Sequence, residues 1–142
     1  MSITFDLYVW TGGNNTTGAS WATAYQTLSD ADGNTSAGDF VAIASDQDYL
    51  YTSSVILLFA DNVTVISTDR ADDSYLAGAK EYQTSNSNDI DVRGVGVTLK
   101  GITLVTGRNN DMSDSDKIEY IDCELSNLNT NQNVISASQG CI

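Results

Sequence analysis

The chain has no histidine and no proline, and it carries six basic residues against nineteen acidic ones. Without histidine it lacks the commonest general base and the commonest metal ligand. The basic residues stand singly and the net charge is −13. Nucleic acid is held by clustered Lys and Arg on phosphates, so the sequence argues against it as a partner. The same charge argues against anionic membranes and polyanionic sugars; an acidic surface keeps an assembly in solution. No run approaches the roughly 20 apolar residues needed to span a bilayer. The opening MSITFDLYVW has no basic segment followed by an apolar run, so no secretory signal is expected. Two cysteines, Cys123 and Cys141, cannot build a zinc site alone. Their spacing suits small inward residues on adjacent strands, although stacked strands would also permit a disulfide. The absence of proline suits stacked strands that need all their N–H groups.

What is present is turn chemistry. Ser, Thr, Asn, Asp and Gly make up close to half of the chain, which predicts a mostly β fold with many short corners. At 142 residues the length fits one domain.

Residues 97–104 and 118–125 can be superposed at a spacing of 21. Apolar residues match at Val97/Ile118, Leu99/Tyr120, Ile102/Cys123 and Leu104/Leu125. Each copy reads as two alternating strands joined at one bend residue, Gly101 or Asp122. Val63 and Val65 align with Val97 and Leu99 at a spacing of 34. Such self-similarity signals a solenoid, in which each repeat buries its apolar face only against its neighbours. In a strand alternate side chains face opposite ways. Val97, Leu99, Ile102 and Leu104 are therefore expected inward, with Ile118, Tyr120, Cys123 and Leu125 below them. Glu119, Glu124 and Ile121 would face out.

Elsewhere the pattern predicts strands over 3–10, 40–44, 55–59, 63–66, 90–92 and 134–137. A helix is expected over 19–28, where Trp21, Ala24, Tyr25 and Leu28 recur at helical spacing and Ser20 can cap. Residues 46–52 read as a turn, and 68–88 as a long polar excursion without period.

The first sixty residues carry a resemblance. YVWTGGNNTTG, SWATAYQTL, AGDFVAIASDQDYLY and SSVILLFADNVTVIST resemble the opening of parallel β-helix proteins of the pectin-lyase-like superfold. Trp21 matches the aromatic of the capping helix, Gly38 and Asp39 the turn before the first strand, and residues 62–67 the first coil. Gly101, Ile102, Thr103 and Leu104 resemble a coil bend. The resemblance implies an all-β, right-handed single-stranded parallel β-helix with an N-terminal strand and short capping helix. Residues 1–60 would be the cap and first coil, and 61–142 the rungs. Since the sequence stops in what reads as a rung, at Cys141 and Ile142, the chain is expected to be a fragment or to have a partner over that end. Proteins resembling this one are frequent on tailed-phage virions. The implied function is a non-enzymatic structural protein of the virion surface (capsid-decorating, fibre or spike), a homo-oligomer with a trimer favoured. Other virion proteins, and surface polysaccharide, would be its partners. The alternatives are a carbohydrate-active β-helix enzyme with catalytic rungs beyond residue 142, and a bacterial surface adhesin.

Asp111, Asp114 and Asp116 are the metal candidate, because clustered carboxylates suit a hard cation such as calcium. Asp30, Asp32 and Asn34 begin a similar pattern without its closing glutamate and read as a loop. Asp69, Asp72 and Asp73 around Arg70 read as a charged turn. Glycosidase chemistry needs two carboxylates at a fixed separation; Glu119 and Glu124 share one outward face. Lyase chemistry of the family would need a basic residue beside acids, for which Arg93 with Asp89 and Asp91 is the nearest match. Tyr49, Tyr51, Tyr75 and Tyr82, expected in turns, could stack on sugars or pack over the fold. No catalytic residues and no cofactor are assigned.

Overall fold

The structure is a computed structural model that describes residues 3–85, 87–107 and 118–128. Asp111, Asp114, Asp116, Cys141 and the expected strand over 134–137 lie outside them. The protein is mostly β, and every strand pairing among the described residues is parallel.

The strands are β1 (Leu7–Val9), β2 (Phe40–Ala44), β3 (Asp48–Tyr51), β4 (Val55–Leu58), β5 (Thr64–Thr68), β6 (Ala79–Gln83), β7 (Ile90–Arg93), β8 (Thr98–Lys100), β9 (Ile102–Thr106), β10 (Glu119–Ile121) and β11 (Glu124–Asn127). They form a five-stranded sheet in the order β1-β2-β5-β8-β10, a four-stranded sheet β11-β9-β6-β3 and a two-stranded sheet β4-β7.

Register follows the spacings in the sequence. Leu99 lies beside Tyr120, and Leu104 beside Leu125, both at 21 residues. Val65 lies beside Leu99, at 34. The ladder continues through Val41 to Leu7. Both bend residues have left-handed backbones, Gly101 at φ 74° and Asp122 at φ 51°. At Gly101 a Cβ would come within 2.7 Å of the Tyr75 ring and 3.2 Å of Ala77 Cα, so glycine answers both the conformation and the space.

The core joins the inward residues of all three sheets, among them Val9, Ile43, Leu57, Val63, Val92, Leu99, Ile102, Leu104 and Tyr120. Its volume is not purely apolar. Gln47, Glu81, Gln83 and Thr106 are buried too, and each takes a hydrogen bond, as buried polar groups must. Gln83 donates to the Ser53 carbonyl at 2.8 Å, and Thr106 Oγ1 accepts from the Ile90 N–H at 3.2 Å.

Four sequence expectations need correction. Residues 19–27 form turns, and the helix α1 spans only Leu28–Ala31, running into a 3₁₀ turn Asp32–Asn34. The reason is competition for backbone groups. Tyr25 donates its N–H to Tyr8 (3.0 Å) and accepts from Trp10 (2.7 Å), bridging β1, so those groups are spent on the sheet. Thr27, in extended conformation, then caps α1 by accepting from the Asp30 N–H at 3.0 Å. Residues 48–51, expected in a turn, are β3, and the expected polar excursion contains β6. The first strand is also shorter than expected: Ile3 is exposed and Phe5 half-buried, ahead of β1.

Residues 10–35 blunt the sheet edges at this end. Tyr25 pairs with Val9 of β1, the Leu58 N–H donates to Asp32 Oδ2 at 2.7 Å, and the Ala60 N–H to Thr35 Oγ1 at 3.0 Å. Covered edges do not recruit foreign strands.

Candidate functional site

The segment 69–76 builds one wall of a surface groove. Its sequence is rich in aspartate and folds by side-chain-to-backbone bonds. Asp69 Oδ1 accepts from the Ala71 N–H (2.9 Å), and Asp72 Oδ1 from the Ser74 N–H (3.0 Å) and hydroxyl (2.6 Å). These are the local bonds by which Asp favours turns. Asp73 takes a left-handed backbone at φ 58°. The chain thereby doubles back, with Tyr75 in an antiparallel bridge to Thr68.

Long side chains tie this return to distant parts of the molecule. Asp73 accepts from Trp21 Nε1 at 2.9 Å and from the Tyr8 hydroxyl at 3.2 Å. Tyr8 meets the Trp21 ring edge-on at 4.8 Å between centroids, and Phe5 meets Tyr8 at 6.0 Å. Arg70 lies 3.9 Å over the Trp10 ring and donates twice to Asp46, at 3.1 and 2.8 Å. At the other end the Tyr75 hydroxyl donates to Asp122 at 3.2 Å, and Lys100 Nζ sits 4.4 Å from the Tyr75 ring.

Between this return and residues 3–5 runs a groove of about 470 Å³. Ile3, Phe5, Ile66 and Tyr75 supply its apolar walls, and Asp72, Asp73, Ser74 and Lys100 its polar ones. A shallower depression of about 350 Å³ lies over Ser45, Asp46, Asp69 and Arg70. Hydrogen bonds from Ser74 keep the Asp72 carboxyl below the usual range. Burial, then the Asp73 carboxylate, push the Tyr8 phenol up, and burial with Asp122 does the same for Tyr75. The arrangement offers an aromatic wall, a fixed anionic acceptor and one cation, which is the chemistry of recognition.

Asp111, Asp114 and Asp116 lie outside the described residues; the sequence candidates within them disperse. Asp32 accepts from Leu58 and Gly33 N–H groups, and burial pushes its carboxyl up, so the 30–34 segment is a structural turn. Among the described residues no group of three metal-ligating side chains comes together. Arg70 leaves its neighbouring aspartates and pairs with Asp46, whose carboxyl the guanidinium holds low. Arg93 and Asp91 meet at 2.6 Å on β7. Glu119 lies half-buried on β10 and Glu124 exposed on β11. Of the four tyrosines expected in turns, Tyr75 forms the bridge to Thr68, Tyr49 and Tyr51 are in β3 and Tyr82 is in β6. Sequence reading missed Phe5, Asp73 and Lys100 as one site, because their meeting depends on the path of residues 69–76. Among the described residues no helix is long and apolar enough to cross a membrane.

No family model, curated protein or solved structure matches the chain.

Proposed function

We propose that this chain is a right-handed parallel β-helix module serving as a non-enzymatic structural protein of a tailed-phage virion surface. It acts as a capsid-decorating, fibre or spike component through rigid display and assembly contacts. The observation that carries the reading is the register: parallel strands repeat along three tracks, with inward positions stacked on inward positions at each step. Such stacking gives a stiff body whose turns can meet other subunits. Symmetric closure is the default for such bodies, and the trimer favoured by the resemblance fits it.

The groove beside Tyr75 supports surface polysaccharide as a partner, since an aromatic wall with a carboxylate rim can stack on a pyranose and accept from its hydroxyls. A carbohydrate-active enzyme with its catalytic rungs elsewhere is the second reading, and the same groove favours it. Sedimentation equilibrium of the purified chain should give three chains per particle. Quantitative mass spectrometry should find the chain in purified virions of the phage encoding it. Its absence from those particles overturns the virion reading, and a monomer at every concentration overturns the trimer.

A further inference from the structure

The first turn of α1 rests on a carboxyl group that solvent does not reach. Glu81, on β6, is completely buried. The Tyr51 hydroxyl donates to its Oε1 at 2.6 Å, and Gln47 Nε2 to its Oε2 at 3.0 Å. The Leu28 N–H, at the start of α1, points between both oxygens at 3.2 and 3.1 Å. Gln47 is itself buried and extends the connection: its Oε1 accepts from the Thr11 N–H at 2.8 Å, and its Nε2 also donates to the Gln26 carbonyl at 2.9 Å. One carboxyl thus ties Thr11, Gln26 and Leu28 to β3 and β6.

We propose that Glu81 is a proton-operated latch for residues 10–31, holding them against β3 and β6 more firmly when protonated than when ionised. The inference is independent of the proposed function.

The geometry accommodates both states. Ionised, the carboxylate faces three donors from three parts of the chain. Protonated on Oε1, it has the Tyr51 oxygen 2.6 Å away as acceptor, an oxygen that also accepts from the Ser29 N–H at 3.3 Å, and the Tyr51 hydroxyl can turn to Thr27 once the hydrogen bond between those two side chains reverses. Thr27 Oγ1 accepts from the Asp30 N–H and has a second lone pair free for it.

What separates the two states is the missing countercharge. The titratable groups facing Glu81 are Asp30 from α1, of the same sign, and Tyr51 from β3, whose phenol burial and Glu81 both push up so that it stays neutral. Lys80, next to Glu81 on β6, lies half-buried against the Tyr82 ring at 4.5 Å. Burial accordingly pushes the Glu81 carboxyl from 4.5 up to about 7, with the three donors holding it back. Lifting residues 10–31 would return it to water and to its ordinary value. The closed form therefore binds the proton over this window. Opening becomes easier by up to roughly two to three powers of ten as pH rises through it.

Amide hydrogen exchange of the full chain tests this. Protection factors of Thr11, Leu28 and Ser29, corrected for intrinsic rates, should fall roughly 70-fold between pH 5 and pH 8. The only two tryptophans, Trp10 and Trp21, lie in the segment, so emission should follow the same midpoint. In Glu81→Gln the fall should vanish. Should that variant not fold, Tyr51→Phe removes one donor and should move the midpoint to higher pH. Equal protection at both pH values overturns the latch, as does a fall that survives Glu81→Gln or a midpoint unmoved by Tyr51→Phe.

Discussion

Two of the inward ladders of side chains in this molecule differ in kind, one taken from each of its larger sheets. In the five-stranded sheet Leu7, Val41, Val65, Leu99 and Tyr120 stand in register, all apolar and all buried. In the four-stranded sheet the corresponding line reads Tyr49, Glu81, Leu104 and Leu125. The same backbone arrangement thus carries hydrocarbon throughout on one side and an acid in the middle of the other. The first ladder holds by area removed from water, about 25 cal/mol per Å². The second is interrupted at Glu81, whose buried carboxyl is hydrogen-bonded to Tyr51, Gln47 and the Leu28 N–H. Packing along the first ladder is interchangeable in kind, whereas the second depends on particular atoms at particular distances.

Shortening the apolar ladder should produce the largest effect. Leu99 is fully buried between Val65 and Tyr120, and Leu99→Ala leaves a cavity that neither paired strand can easily fill. A loss of about 3–5 kcal/mol is expected in urea unfolding. A loss under about 1 kcal/mol would mean that the ladder collapses around the gap and that the contrast with the second ladder is overstated.

The acid ladder should reveal itself through pH. The folded carboxyl of Glu81 sits at about 7 against 4.5 ordinarily, so the folded state keeps a proton that the unfolded chain releases. The contribution is greatest below 4.5, falls as pH climbs to about 7 and is level above that. Over the whole window the fall amounts to roughly 3 kcal/mol. Other carboxylates titrate in the same experiment, so the quantity to measure is the pH dependence of unfolding in the wild type minus that in Glu81→Gln. A difference that does not change between pH 5 and pH 8 would place Glu81 among the ordinary side chains of the core.

The two ladders were also unequally legible. Val65, Leu99 and Tyr120 announce themselves through β-branched and apolar neighbours at period two, and the spacings of 34 and 21 carry directly into strand register. The second ladder hides because its inward positions on β6 are Ala79, Glu81 and Gln83. A search for alternating apolar residues scores that strand as loop, and β3 next to it as a turn with tyrosines. The helix expected over 19–28 failed for a different reason. The apolar spacing there is real, and Ala24 and Leu28 are buried, but Tyr25 gives its backbone to β1, a long-range pairing that local periodicity cannot see. The groove was legible only as separate parts: Tyr75 as an aromatic and Asp72 and Asp73 as a charged turn, without the fold-back that sets them opposite Phe5.

The smallest effects lie where the chain passes from one ladder to the other. Gly101 makes that turn between Leu99 and Ile102, and Asp122 makes it between Tyr120 and Leu125, both with positive φ. The same conformation is thus served once by the residue suited to it and once by a residue with a Cβ. A left-handed backbone costs an ordinary residue about 1–2 kcal/mol, less for Asp, whose side chain bonds locally. Gly101→Ala should therefore lose roughly 1–2 kcal/mol, the upper part of the range coming from the contact with Tyr75. Asp122→Gly should run the other way. It relieves the backbone but removes the acceptor of the Tyr75 hydroxyl, an exposed bond at 3.2 Å worth little in water. The expected net gain is a few tenths to about 1 kcal/mol. If Asp122→Gly instead destabilises while Tyr75→Phe does not, the carboxylate supports the bend itself, and the two turns are different devices that share only a dihedral angle.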